Sequence, residues 1–173
     1  MYWCDWGKQP KIELANMDGQ GRQELVTRGL YWPNGITLDD LNNRLYWVDA
    51  YLDVLEYYDL KLHKITTLLE DGILLHPFGL TSIDDQLYWT DWSKSVVYKA
   101  DKKTASNADI FVDGLRQPMD IHAYDRNKNL PGKENLSGNY HSPLVSVFLV
   151  VRFISQLTFK FVWQQQLLAR VLL

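Results

Sequence analysis

Tyr46-Trp47-Val48-Asp49-Ala50 is the stretch that decides the fold of this chain, because nearly the same phrase is written twice more. It occurs as Tyr2-Trp3-Cys4-Asp5-Trp6 and as Tyr88-Trp89-Thr90-Asp91-Trp92, and its tyrosines lie 44 and 42 residues apart. A fixed period of about 40 to 50 residues is the signature of a repeated unit such as a propeller blade or a helical repeat. The chain is therefore expected to contain several copies of one structural unit.

A second phrase recurs with the same period but out of step with the first. It begins at Trp32-Pro33-Asn34-Gly35, at His76-Pro77-Phe78-Gly79 and at Gln117-Pro118-Met119-Asp120, and its prolines lie 44 and 41 residues apart. Proline and glycine at the start of a unit argue against the long 3.6-residue periodicity of helical repeats. Short aromatic and β-branched runs between turn-forming residues favour strands.

Each complete unit contains four such runs, which is the number of strands in a propeller blade. The first unit has three of the runs, two units are complete, and the last unit has its first run alone. We therefore predict an all-β fold: a partial six-bladed propeller of about 2.75 blades over residues 1–126. Six blades of this period need roughly 250 residues, so about half of the ring is present.

Composition narrows the range of functions. The 18 basic and 21 acidic residues give a net charge of −3 without a basic block, so neither nucleic acid nor an anionic membrane surface is an expected partner. The single cysteine, Cys4, excludes an internal disulfide and stands where the other copies have Val48 and Thr90. It is expected to be an inert strand residue. No signal peptide is recognisable at the start of the chain.

Two groups of side chains are predicted to share one face of the disc. Suppose that the first strand of each unit is innermost. The hairpin after it reverses the direction of the chain, so the start of the first strand and the end of the second strand lie at the same face of the disc. Large apolar residues in surface loops are poor candidates for core and make a candidate binding patch. The predicted ligand-binding residues are Trp6, Trp32, Asn34, Phe78, Trp92 and Met119. Packing over the blade edge is the alternative for Trp6 and Trp92, and shaping of the turn before Gly35 is the alternative for Asn34.

Inside the first phrase, the tryptophan and the tyrosine are adjacent and therefore point to opposite faces of the blade. Both faces of a middle blade are covered by neighbouring blades, so these residues are expected to be structural. The aspartate that ends the phrase is expected to accept hydrogen bonds from the backbone or from a base of a neighbouring blade. The predicted scaffold residues are Trp3, Trp47, Trp89, Asp5, Asp49 and Asp91.

The two phrases together resemble those of the YWTD propellers of the low-density lipoprotein receptor family. Within that family, residues 76–81 and 118–123 are most similar to the Wnt co-receptor branch, the receptor-related proteins 5 and 6 and their relative 4. The resemblance covers roughly residues 1–126. It implies a six-bladed propeller in the ectodomain of a plasma-membrane receptor, followed by a cysteine-rich module whose cysteines do not occur after residue 127 here.

The resemblance also implies partners. The upper face of such propellers binds extracellular proteins, namely Wnts and antagonists of the Dickkopf and sclerostin type that insert an Asn-x-Ile segment. By motif, Asn34 matches the family residue that pairs amide to amide with the inserted asparagine. The apolar positions around it are matched by Trp32, Phe78, Trp92 and Met119. No cofactor is implied.

Residues 127–173 change in composition and are expected to lie outside the propeller, as disordered or mispredicted sequence. Asn135-Leu136-Ser137 is a formal glycosylation sequon, a short pattern that is common by chance. The apolar stretch 143–163 is interrupted by charged and polar residues and fits a membrane span poorly. A weak membrane anchor is the alternative for this segment.

Two other functions stay open. Six-bladed propellers also host metal-dependent lactonases, whose carboxylate, Asn and His ligands converge on the central channel. Asn34, Asp120 and His122 are the candidates at that place, but the sequence has no Cys/His cluster and no nucleophile with a neighbouring base. An enzyme, a metal site and a small-molecule substrate are therefore not expected. The other alternative is a truncated fragment without activity, because an incomplete ring leaves strand edges and a blade face uncovered.

Overall fold

The computed structural model describes residues 1–70, 72–125, 147–153, 160–165 and 168–171. The regular structure of these residues is entirely β, and none of them lies in a helix that could cross a membrane. The strands are β1 (Tyr2–Asp5), β2 (Lys11–Leu14), β3 (Gln23–Val26), β4 (Pro33–Asp39), β5 (Arg44–Asp49), β6 (Val54–Asp59), β7 (Lys64–Glu70), β8 (Pro77–Ile83), β9 (Gln86–Asp91), β10 (Val96–Asp101), β11 (Asp109–Val112), β12 (Pro118–Asp125), β13 (Val147–Phe153), β14 (Lys160–Gln165) and β15 (Leu168–Val171).

The strands form four antiparallel sheets, each made of consecutive strands. We call them blade 1 (β1–β3), blade 2 (β4–β7), blade 3 (β8–β11) and blade 4 (β12–β15). The first strands of blades 2, 3 and 4 lie side by side, since β4 contacts β8 and β8 contacts β12. Sheets of sequential antiparallel strands arranged in this way are propeller blades. The predicted all-β partial propeller is confirmed.

The repeated Tyr-Trp-x-Asp phrase supplies much of the packing between blades. Trp47 lies in a buried cluster with residues of blade 1, whereas Tyr46 lies in a second cluster with Trp89 of blade 3. Tyr88 lies in a third buried cluster, together with Ile121 of β12. Trp47 and Trp89 are fully buried, while Trp3 in blade 1 is half-buried. Adjacent side chains of one strand thus join each complete blade to both of its neighbours.

The innermost strands approach each other through two glycines. A Cβ atom built on Gly35 would stand 2.5 Å from the backbone nitrogen of Leu80, and one built on Gly79 would stand 2.7 Å from the backbone nitrogen of Ile121. Both distances are too short for any side chain. The glycine of the second phrase is therefore required because it lets neighbouring blades come close at the centre of the disc.

The described C-terminal strands belong to the fourth sheet. β13, β14 and β15 pair in sequence with β12 and give blade 4 four strands, and the expected division of the chain into residues 1–126 and 127–173 stays a prediction. An inner strand with an open edge has unpaired backbone groups, and the β-branched, apolar sequence of β13 suits the neighbouring position. The domain boundary and the sequon at Asn135 lie outside the described residues, so both stay predictions.

Candidate ligand-binding site on the upper face

Blades 2, 3 and 4 each begin with a bulge at the same place. The pairing register shifts between Pro33 and Ile36 in β4, between Pro77 and Leu80 in β8, and between Pro118 and Ile121 in β12. A bulge bends the strand and redirects the side chain of the extra residue. The bulges contain the second-phrase residues Asn34, Phe78 and Met119.

These bulges surround a pocket on the face where the chain enters the inner strands. The pocket has a cavity volume of about 320 Å³. All six residues that the sequence predicts for ligand binding line this pocket. Their role in ligand binding stays a prediction. The lining residues are Trp6, Trp32, Asn34, Ala50, His76, Phe78, Trp92 and Met119.

The tryptophans form the rim of the pocket and the bulge residues form its floor. Trp6, Trp32 and Trp92 are 60%, 40% and 37% exposed, so they stand open to solvent. Asn34, Phe78 and Met119 are half-buried. An apolar, concave surface with open aromatic edges is the usual form of a recognition pocket.

Polar groups are few in this pocket. The Asn34 side-chain amide donates a long hydrogen bond, 3.5 Å, to the carbonyl oxygen of Pro77. An asparagine side chain offers two N–H donors and one acceptor oxygen, so hydrogen-bonding capacity remains for a ligand. His76 Nδ1 is buried and has no hydrogen-bond partner among the described residues. The site therefore combines an apolar lining with one amide able to fix the orientation of a ligand.

A buried carboxylate holds the Trp32 side of the rim in place. Asp49 is fully buried and accepts backbone hydrogen bonds from Tyr31 at 2.7 Å, Trp32 at 3.1 Å, Tyr51 at 3.0 Å and Leu52 at 3.1 Å. These four amides belong to two loops, the one entering β4 and the one leaving β5. One side chain thus fixes both loops beside the pocket.

The other two phrase aspartates differ in burial. Asp91 is buried and accepts hydrogen bonds from the backbone of Leu75 at 2.9 Å and of Lys94 at 2.8 Å. Burial raises the pKa of Asp91, and these backbone hydrogen bonds oppose the rise. Asp5 is exposed and accepts a hydrogen bond from Gly7 at 3.0 Å. The three aspartates accept hydrogen bonds from backbone amides. Among the described residues, none of the three forms an ion pair.

Cys4 lies in β1 next to blade 2. Burial, together with the negative charge of Asp49, raises the pKa of the Cys4 thiol to about 12. A thiol with so high a pKa is protonated at neutral pH and is a poor nucleophile.

The structure adds two groups of residues that the sequence did not predict for this face. Ala50 follows the phrase aspartate, as Trp6 and Trp92 do. His76 precedes the proline of the second phrase, as Trp32 does. Both residues were therefore predictable from an alignment of the repeats. Tyr31 and Tyr51 had no such signal. Their rings stack with centroids 4.5 Å apart, although they are 20 residues apart in sequence.

β12 carries an exposed pair of side chains, Asp120 and His122. His122 Nε2 lies 2.9 Å from the Asp120 carboxylate, and both side chains are open to solvent. Within the part of the chain that the structure describes, no group of three or more His, Cys, Asp and Glu side chains could hold a metal ion.

Comparison with known proteins identifies the repeat class of the first 39 residues and several similar receptors. Residues 1–39 match the family model described as low-density lipoprotein receptor repeat class B. The chain is 43% identical to the Drosophila melanogaster vitellogenin receptor Yl over 102 residues, which are 59% of this chain and 5% of that protein. It is 39% identical to the human low-density lipoprotein receptor-related protein 5-like protein over 127 residues, which are 73% of this chain and 50% of that protein.

Among solved structures, one from a nidogen/laminin complex is 37% identical, with a TM-score of 0.58 over 64% of this chain and 41% of that chain. The fold is that of a propeller, residues 1–39 match a low-density lipoprotein receptor class B repeat, and the chain is similar to a vitellogenin receptor and to a low-density lipoprotein receptor-related protein 5-like protein. The chain spans half or less of the length of the curated relatives reported above.

Proposed function

We propose that this chain is an extracellular protein-binding segment of a cell-surface receptor related to the low-density lipoprotein receptor, and that it is similar in function to the Wnt co-receptors. Its ligands would be Wnts or Wnt antagonists of the Dickkopf and sclerostin type. The binding site would be the pocket on the upper face.

One observation carries this proposal. Six side chains that are scattered over residues 6–119 in sequence line a single apolar pocket around one amide. Tryptophan side chains are typical of protein-recognition sites, because rigid aromatic rings bury much surface at little entropic cost. A ligand asparagine beside Asn34 could exchange two amide hydrogen bonds in a site from which water is largely excluded.

The choice of ligand is supported by the repeats and by one relative. The similarity to the human receptor-related protein 5-like protein covers 73% of the chain. The similarity to the Drosophila melanogaster vitellogenin receptor Yl is higher in identity but covers 59% of the chain. That similarity favours a second candidate function, the binding of vitellogenin or a similar lipoprotein by the same face.

Titration calorimetry on the full chain distinguishes the two candidates. A synthetic heptapeptide with Asn-Ala-Ile at its centre is the first ligand, its Asp-Ala-Ile counterpart is the control, and purified vitellogenin is the second ligand. Wnt-antagonist binding predicts a saturable heat for the Asn-Ala-Ile peptide and none for the control, because a carboxylate cannot donate to Asn34. Binding of vitellogenin with no response to either peptide would instead support the second candidate.

The chain is proposed to act by binding and not by catalysis. The residues that line its pocket include no Asp, Glu, Lys or Arg and no Ser, Thr or Cys nucleophile, so no pairing of a nucleophile with a base lies among them. Gel filtration with circular dichroism tests whether the chain folds alone. A monomer that melts cooperatively would argue against an inactive fragment, and an aggregate without cooperative melting would favour it.

A further inference from the structure

Beside the pocket lies a group of exposed aromatic side chains. Tyr31 and Tyr51 are 54% and 55% exposed, and their rings stack with an interplanar angle of 20°. The ring of Trp32 meets that of Tyr51 edge to face, with centroids 5.2 Å apart. Because Trp32 also lines the pocket, the three rings form a continuous surface that starts at the pocket rim. We call these three residues the aromatic ledge.

The aromatic ledge is held in place before any ligand arrives. The backbone amides of all three of its residues donate to the buried Asp49 carboxylate. Two loops that meet only in the folded protein are thereby fixed relative to each other. A surface that is already ordered loses little entropy when it binds, which favours affinity.

The rings of the aromatic ledge carry no cation of the protein's own. Aromatic faces are negative, and they attract Arg and Lys side chains within about 6 Å. Among the described residues, no Arg or Lys lies over Tyr31, Trp32 or Tyr51. Elsewhere the fold places its own cations over rings: Arg22 over Trp3, Arg44 over Tyr57, Lys94 over Tyr98 and Lys99 over Phe111, all within 5.6 Å of the centroid.

Two carboxylates add negative charge at the same place. Asp49 lies beneath the ledge, and Asp53 follows Tyr51 in the same turn, where it accepts a hydrogen bond from the backbone of His76 at 3.0 Å. Neither carboxylate forms an ion pair within the described part of the chain. The exposed aromatic rings, together with two carboxylates that have no cationic partner among the described residues, therefore make this corner of the upper face complementary to a positive charge.

We propose that the aromatic ledge is a second contact site, which takes an arginine or lysine side chain of the same protein ligand that occupies the pocket. The proposal rests on the proposed function for the identity of that ligand. At an exposed site a cation–aromatic contact adds about twofold to fivefold in affinity. The ledge would thus select, among ligands able to fill the pocket, those with a basic residue nearby.

The first test does not depend on the pocket. Ring signals of ¹³C-labelled tyrosine in the full chain are followed by NMR while the peptide acetyl-Gly-Arg-Gly-Arg-Gly-amide is added. The control peptide carries citrulline, a neutral side chain of the same shape, in place of arginine. The Tyr31 and Tyr51 signals should move with the arginine peptide, and the citrulline peptide should leave them in place. Equal responses to the two peptides, or no response, would overturn the proposal.

The second test joins the ledge to the pocket. Two Asn-Ala-Ile peptides, flanked on both sides by arginine or by citrulline, are compared by calorimetry. The arginine form should bind wild type about twofold to fivefold more tightly, and this preference should disappear in the double variant Tyr31→Leu, Tyr51→Leu and shrink in Asp53→Asn. The variant Tyr58→Leu, which alters a tyrosine in β6 instead, should keep it.

The outcomes separate the two proposals. If neither flanked peptide binds while the tyrosine signals still respond to arginine, the proposed antagonist binding fails and the ledge stands. If both flanked peptides bind equally well, the pocket stands and the ledge proposal is wrong. Asp53→Asn keeps an acceptor for the His76 amide and suits the positive φ of 53° at this position, so it tests the charge even if the double variant does not fold.

Discussion

Gly35 and Leu80 lie so close that a Cβ atom at position 35 would stand 2.5 Å from the backbone nitrogen of Leu80. The other nearest atoms, the carbonyl oxygen of Phe78 and the carbonyl carbon of Gly79, also belong to the backbone of β8. No side chain can rotate away to make room, so a larger residue must push blades 2 and 3 apart. This contact fixes the distance between the Asn34 and Phe78 positions in the pocket.

The first prediction follows from that contact. Gly35→Ala should lower the free energy of unfolding by about 1–3 kcal/mol, because the inner strands must separate. Thermal or urea unfolding measures the loss. Gly7→Ala is the control, since the nearest atom to its Cβ is an oxygen of the Asp5 side chain at 3.3 Å. Equal stability of the two variants would show that the inner strands are not in close contact.

The second prediction concerns the loops held by Asp49. Asp49→Ala should lower the free energy of unfolding by about 3 kcal/mol or more, because four backbone amides lose their acceptor. Asp49→Asn should cost less, since one acceptor oxygen remains. Asp5→Ala is the matched control at the equivalent phrase position and should change stability by about 0.5 kcal/mol or less. Similar losses at both positions would contradict the role assigned to Asp49.

The third prediction uses a buried ion pair on the opposite face of the disc. Lys102 Nζ lies 3.1 Å from the Asp39 carboxylate, and both side chains are about 5% exposed. The pair joins blade 3 to the end of β4. Burial raises the pKa of Asp39, but hydrogen bonds from Asn42 and Lys102 and the charge of Lys102 outweigh it, so this pKa lies below its usual value. Asp39 therefore stabilises the fold above its unfolded pKa and loses this effect as the pH falls through its folded pKa.

Lys102→Met should reverse the effect of pH on the contribution of Asp39 to stability. Without its cation, the buried Asp39 is unpaired at pH 7, and the variant should lose about 3–5 kcal/mol there. The deficit relative to wild type should shrink below about pH 4, because protonation then removes the buried charge. Urea unfolding at pH 7 and pH 3 measures both effects, with the exposed neighbour Lys103→Met as the control. A deficit that is the same at both pH values would contradict the assignment.

The architecture was predictable because the repeat phrases carry the packing. Trp47 and Trp89 are buried between blades, and Gly35 and Gly79 permit the close approach of inner strands, so these repeated tryptophans and glycines have the same structural cause in both complete units. The face of the disc on which the pocket lies was also predictable. Strand direction alone brings Trp6 and Trp92 to the side on which Asn34 and its equivalents begin the inner strands.

Two features could not be predicted in this way. The strands β13–β15 lack the phrases, so nothing in their sequence links them to a blade, and their place is set by pairing with β12. The stacking of Tyr31 on Tyr51 depends on how two loops meet across Asp49, a contact that no periodicity encodes. Both cases involve long-range contacts without a repeated sequence signal.

The central claim is that the pocket on the upper face is the ligand-binding site. Calorimetric titration of wild type, Asn34→Ala and Trp92→Ala with the Asn-Ala-Ile heptapeptide tests it most directly. Leu41→Ala is the control, because Leu41 is 86% exposed in the turn between β4 and β5 on the opposite face. We predict that each pocket variant binds about tenfold more weakly or worse, with an unchanged melting temperature, and that the control binds like wild type. Unchanged affinity in both pocket variants would contradict the account.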